Sequence, residues 1–129
     1  MTLLHGLLDL KKLCKIKQLT FAYLTCTRLF PNYVFFSLKF NFGEPNILQE
    51  AISYLHSNIM NYNPSKQNIH FLLNKMDKNV PYPENFNSII ASSALDACTS
   101  IEYSLHFLLN EDFSLIESIS TFATDSIDM

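Results

Sequence analysis

Arg28 is the only arginine in the 129 residues, and it stands in the stretch TRLFPNYVFFS, shortly before Pro31. A guanidinium with Leu29 and Phe30 as neighbours on a helix is expected to be partly buried. Burying that charge requires a carboxylate partner, best in a two-pronged hydrogen bond. Asp96, inside the otherwise apolar run IIASSALDAC, has the complementary need. The two are expected to pair between helices, an ion pair that fixes helix register. The competing chemistry is an anion-binding or catalytic role for Arg28. Cys98 follows Asp96 by two residues, which on a helix turns the side chains roughly 160–200° apart, so they cannot form one unit. Cys98 shares an apolar stripe with Ala94 and Ile101 and reads as a small buried hydrophobe. A nucleophile needs a nearby base and a lowered pKa, and the sequence assigns neither. Cys26 reads the same way. Asn32, directly after Pro31, is placed to hydrogen-bond free backbone at a helix corner. With Tyr33, these residues define a candidate structural or binding cluster: Arg28, Asn32, Tyr33, Asp96 and Cys98.

Other chemistries lack their residues. His5, His56, His70 and His106 are scattered, with neither H-x-x-x-H nor H-E-x-x-H spacing. His106 follows Glu102 at the spacing of a favourable surface pair. Gly6 and Gly43 are the only glycines, too few for a phosphate-cradling loop. Cys14, Cys26 and Cys98 form no C-x-x-C, which argues against a zinc site and a disulfide framework and suits a reducing cytosol. No catalytic, cofactor-binding or metal-ligating residue is assigned.

Charge narrows the partners. Residues 1–40 carry Lys11, Lys12, Lys15, Lys17, Arg28 and Lys39 against Asp9 alone. Residues 81–129 hold no lysine or arginine and many carboxylates, among them Asp96, Glu102, Glu111 and Asp112. The two ends can attract each other within one fold or between two copies. A pI of about 5.7 and a short basic cluster argue against nucleic acid. The apolar run MTLLHGLLDL precedes its lysines, the reverse of a secretory signal. The most apolar window, residues 19–42, is cut by Arg28, Pro31 and Lys39, which argues against a membrane span. A cytoplasmic protein is expected.

The elements that would position these residues are helical. Hydrophobic residues make 48% of the chain and charged ones 16%, the balance of a globular domain. Leu3, Leu4, Leu7, Leu8 and Leu10 open a first helix that ends near Cys14. Leu19 to Phe30 form a second, closed by Pro31. Pro31 starts a third, with Tyr33, Phe36 and Phe40 on one face, and Gly43 stands where a left-handed cap belongs. Pro45 to Met60 is a fourth. Asn63 is the expected cap of a fifth, which carries Ile69, Leu72, Met76 and Val80. VPYPEN is a break. Residues 87–109 form a long sixth helix, and a Ser114–Glu117 capping box opens the last. The reading is an all-α fold, an irregular bundle of six to seven helices in a single domain over residues 1–129. The rings of Phe30, Tyr33, Phe35, Phe36, Phe40 and Phe42 wrap more than one face, so other helices or a partner must cover them.

FAYLTCTRLFPNYVFFSLKFNFGE resembles the YjaG-like family of bacterial proteins, a domain of unknown function. The family pattern matches at Phe21, Cys26, Arg28, Pro31, Asn32, Tyr33, Phe36, Phe42 and Gly43, and again in ALDAC, Ala94 to Cys98. Thr27 stands where the family has an acidic residue. Members continue past the position of Met129, so the resemblance implies a C-terminally shortened member whose last helix lacks its usual packing partner. It also implies an all-α cytoplasmic bacterial protein of no known activity.

The expected function is therefore a non-enzymatic helical module that binds a protein partner or itself through apolar and aromatic surface. The alternative is an enzyme or small-ligand binder with a pocket around Arg28, Tyr33 and Asp96, which Cys98 would join.

Overall fold

The computed structural model describes residues 14–127. The first expected helix lies outside that range. Among the described residues there are five α-helices, one short 3₁₀ turn and no strand. They are α1 (Lys15–Phe40), α2 (Pro45–Met60), α3 (Lys66–Asp77), the 3₁₀ turn Pro83–Asn85, α4 (Ile89–Asn110) and α5 (Phe113–Ile127).

Six of the expected helices fall among the described residues, and five are found there because Pro31 breaks nothing. The second and third expected helices are one, α1, with Pro31 inside it. Leu19, Ala22, Cys26, Leu29, Tyr33 and Phe36 are buried along a single seam that crosses the proline without a change of register. Pro31 itself lies on the exposed side. The missing N–H leaves only the Thr27 carbonyl without its helical partner, where water can reach it. An interior proline costs about 3 kcal/mol. Burying each of Leu29, Tyr33 and Phe36 contributes roughly 1.5–3 kcal/mol, so the seam outweighs the breaker.

The core is built around α4, which runs antiparallel to α1. Lys15 meets Glu111 at one end, Cys26 meets Ser104 midway, and Phe36 meets Phe86 at the other. Ala91, Ala94, Ala97, Ser100 and Ser104 are buried on α4, and their small size lets α1 approach closely. The Ser104 hydroxyl donates to the Ser100 carbonyl at 2.8 Å, so it enters the core with its donor satisfied. α2 turns back along α1, bringing His56 to 5.4 Å from the Tyr23 ring. α5 folds back along α4, with Tyr103 and Phe122 6.2 Å apart between centroids. α5 therefore runs in the same sense as α1.

The helix ends differ from the sequence reading in detail. Ser65, not Asn63, caps α3, accepting from the Asn68 N–H at 3.3 Å. Asn41, at φ 51°, is the left-handed cap of α1, and Gly43 has a separate use. Ser88 caps α4. Asp112, not Ser114, sits ahead of α5, its carboxylate accepting from the Ser114 N–H at 3.0 Å. Each is a short polar side chain one or two places from the expected one, within the usual scatter of helix ends. Phe36 packs against Phe86 at 5.0 Å, Phe40 at 5.1 Å and Phe42 at 5.7 Å. Phe86 joins these rings from beyond the VPYPEN break.

Candidate functional site

The tightest polar arrangement surrounds Asn79, just past α3. Tyr33 is fully buried on α1, and its hydroxyl donates to the Asn79 carbonyl at 2.7 Å. The Asn79 side chain accepts from the Glu44 N–H at 2.7 Å and donates to the Lys75 carbonyl at 2.9 Å. One residue thus ties α1, the start of α2 and the end of α3. Gly43 completes the corner. Its φ of 77° is left-handed, and a Cβ there would overlap the Tyr33 hydroxyl. The Cys98 thiol lies 3.9 Å from the same Asn79 carbonyl.

Burial sets the protonation of this corner. Burial pushes the Tyr33 hydroxyl and the Cys98 thiol well above their ordinary ranges. Burial likewise pushes Cys26 up to about 12, against the weaker opposing effect of Ser104. Neutral thiols are poor nucleophiles. Glu102, read from sequence as part of a surface pair with His106, is instead half-buried. Burial, then the charge of Asp77, raises its pKa.

An open groove of about 810 Å³ lies outside the corner, with Gly43, Ile47, Phe71 and Asn79 on its walls. The Lys75 ammonium on its rim is held by the Glu50 carboxylate at 3.1 and 3.2 Å and sits 4.4 Å over the Phe71 ring. Its charge is thus already matched. Among the described residues no group of three His, Cys, Asp or Glu is placed to hold a metal ion.

The sequence-derived cluster divides. Tyr33 and Cys98 meet at the Asn79 carbonyl. Asn32 stands mid-helix and half-buried, because the corner it was assigned to cap does not exist. Asp96 is half-buried on α4. Arg28 is exposed, and its Nη2 donates to the Ala123 carbonyl on α5 at 2.7 Å. The ion pairs between described residues are Lys15–Glu111 and Lys75–Glu50, so an Arg28–Asp96 pair is not among them. Leu29 and Phe30 adjoin Arg28 in sequence, but each successive residue turns about 100° around a helix, which carries Arg28 outward.

Two features escaped the sequence. Glu111, left-handed at φ 54°, accepts from Lys15 and from the Tyr62 hydroxyl, both at 2.9 Å, with the Lys15 ammonium 4.3 Å over the Tyr62 ring. The bond from Lys15, then that from Tyr62, lowers the Glu111 pKa. This pair realises, within one fold, the attraction between the basic start and the acidic end. The second feature is a stripe on the outside of α1. Leu24 is 58% exposed, Phe35 57% and Leu38 80%. With Arg28 and Pro31 they recur at alternating steps of four and three residues. At 100° per residue they fall within an arc of about 80°, opposite the buried seam. That is the pattern of a helix prepared to receive another helix. Its signal was in the sequence, as the second of two seams on one helix.

The described helices include none long and apolar enough to cross a membrane. A family model described as "Protein of unknown function (DUF416)" matches residues 7–129. The uncharacterized protein YjaG of Escherichia coli (strain K12) is 25% identical over 103 residues, which is 80% of this chain and 52% of that protein. YjaG of Salmonella typhimurium is 24% identical over the same shares. The chain spans about half the length of these curated relatives. A crystal structure of a DUF416 family protein from Shewanella baltica OS155 superposes with a TM-score of 0.85 at 30% identity, covering 94% of this chain and 62% of that one. The motif around Arg28 and Pro31, the helical architecture and the match over nearly the whole sequence agree, and the chain belongs to the DUF416 family, whose relatives here are uncharacterised.

Proposed function

We propose that this chain is a non-enzymatic helical interaction module, acting in the cytoplasm as one domain, whose docking surface is the outward face of α1. The observation that carries the reading is the stripe Leu24, Pro31, Phe35 and Leu38, opposite a seam that already fills the core. Pro31 adds weight. It lowers the stability of α1 while making no contribution to the buried seam, so its use lies outside the fold. The face binds a protein partner and, where that partner is absent, a second copy. The alternative, a pocket around Arg28, Tyr33 and Asp96, has less behind it. Tyr33 turns inward to Asn79 and Arg28 outward to Ala123, so the groups do not converge on one cavity.

Sedimentation velocity tests the reading. The wild-type chain is expected to associate reversibly as its concentration rises, and the double variant Phe35→Glu/Leu38→Glu to remain monomeric. Association that survives both substitutions would place the contact elsewhere and overturn the assignment.

A further inference from the structure

We infer that the outward face of α1 receives a second copy of this chain, the two α1 helices packing antiparallel about a two-fold axis beside Pro31. The inference rests on the reading of that face as a docking surface and names its occupant and register.

The face carries its own complement. A two-fold contact uses the same patch on both partners, so the counterpart of each residue must come from the patch itself. Leu24 and Leu38 lie seven residues to either side of Pro31. At 1.5 Å per residue they stand about 21 Å apart. A second α1 crossing at Pro31 in the opposite sense therefore sets Leu24 of each copy against Leu38 of the other. Leu38 projects further than Leu24, at 80% exposed against 58%. Leu24 borders a depression of about 310 Å³ together with Phe21, Thr25, Arg28 and Ala123. Each copy thus brings a projecting leucine level with a depression on the other, and the symmetry makes the contact twice.

Charge selects the same order. The antiparallel register brings Arg28 of one copy beside Phe35 of the other, where the ring face attracts the guanidinium. The two Arg28 side chains stay about 9 Å apart along the axis, close to the screening length at physiological salt. A parallel pairing would instead set Arg28 against Arg28. Leu24, Arg28, Pro31, Phe35 and Leu38 include no carboxylate, so the contact leaves no acidic group unpaired. Pro31, with its short ring and no N–H, occupies the crossing point, where the helices come closest. Five side chains a side are far fewer than the roughly 20–30 of a standard interface, so the pairing is reversible.

Thiol cross-linking tests this. Cys26 and Cys98 are buried, so a Cys14→Ser background leaves an introduced cysteine as the one accessible thiol among the described residues. Leu24, Pro31, Leu38 and Lys66 are all exposed, so substituting them spares the core. Each is changed singly to Cys and treated with a short bismaleimide at high chain concentration. Pro31→Cys is expected to cross-link with itself. A mixture of Leu24→Cys and Leu38→Cys is expected to cross-link about tenfold faster than either alone, because pairing raises the effective thiol concentration. Lys66→Cys, on α3, is expected to stay monomeric. Leu24→Cys and Leu38→Cys each linking with itself would overturn the inference in favour of a parallel pair, with the docking surface left standing. A wild-type chain that sediments as a monomer at every concentration would also overturn it, leaving the face to a protein of another sequence. Cross-links confined to Lys66→Cys, with association unchanged by Phe35→Glu/Leu38→Glu, would remove both the inference and the docking surface.

Discussion

Gly43, Tyr33 and Asn79 act as one unit. A methyl group at Gly43 meets a left-handed backbone and the Tyr33 hydroxyl at once. Gly43→Ala is expected to destabilise the chain by about 2–3 kcal/mol, from the left-handed penalty and the displaced hydrogen bond. Tyr33→Phe is expected to cost about 1–2 kcal/mol, since it leaves a buried carbonyl short of its donor. Urea unfolding of both variants and of the double should show less than additive loss, because removing the hydroxyl makes room for the methyl. Glu102 carries a pH dependence. Its folded pKa is raised, by burial and then by Asp77, above the ordinary carboxylate value. The unfolded carboxyl titrates near about 4.3. The folded state therefore holds a proton that the unfolded state has lost, and stability falls as pH rises through that window. Glu102→Gln is expected to stabilise the chain at pH 7 relative to its effect at pH 3, as checked by thermal unfolding at the two values. Sequence named Tyr33 and Cys98 but not Asn79, for a physical reason. Asn79 contributes a backbone carbonyl to both, a group every residue type has. Arg28 turns outward to the Ala123 carbonyl rather than to Asp96, because adjacent residues on a helix face directions about 100° apart.

α1 shows how two local rules compete. Proline is a breaker by propensity, while a seam spaced by threes and fours is a continuous helix by packing. Packing wins because the proline lies on the side facing water. Replacing it should therefore relieve a cost without disturbing the core. Pro31→Ala is expected to raise unfolding stability by about 1–3 kcal/mol, with urea titration as the check. No gain would mean that the freed Thr27 carbonyl finds an equivalent partner in the wild type. The helical type of the five described α-helices was legible from periodicity, and so was the buried stripe of Ala94, Cys98 and Ile101 on α4. Their caps were not, since Asn63 and Ser65, or Asp112 and Ser114, offer nearly the same hydrogen-bonding chemistry. The turn at Glu111 was hidden more deeply. A left-handed glutamate is uncommon, and what favours it is a pair of partners, Lys15 and Tyr62, distant in sequence.

At the scale of the molecule, among the described residues α1 buries one seam in the bundle and leaves Leu24, Phe35 and Leu38 exposed on its other side. Charge separation along the sequence is partly spent inside the fold at Lys15–Glu111, and apolar surface is what α1 still presents outward. Sequence could state that the rings of Phe30 to Phe42 needed covering. It could not say which stayed uncovered, because that depends on where Phe86 returns. The most direct measurement of the central claim is the unfolding midpoint as a function of chain concentration. A face that binds a copy without helping to build the core stabilises the folded state by mass action. The wild-type midpoint is predicted to rise with concentration. The Phe35→Glu/Leu38→Glu variant is predicted to start from the same midpoint at high dilution and stay there. A flat wild-type curve, or a variant already less stable at high dilution, would contradict the account, the second because it would make Phe35 and Leu38 part of the core.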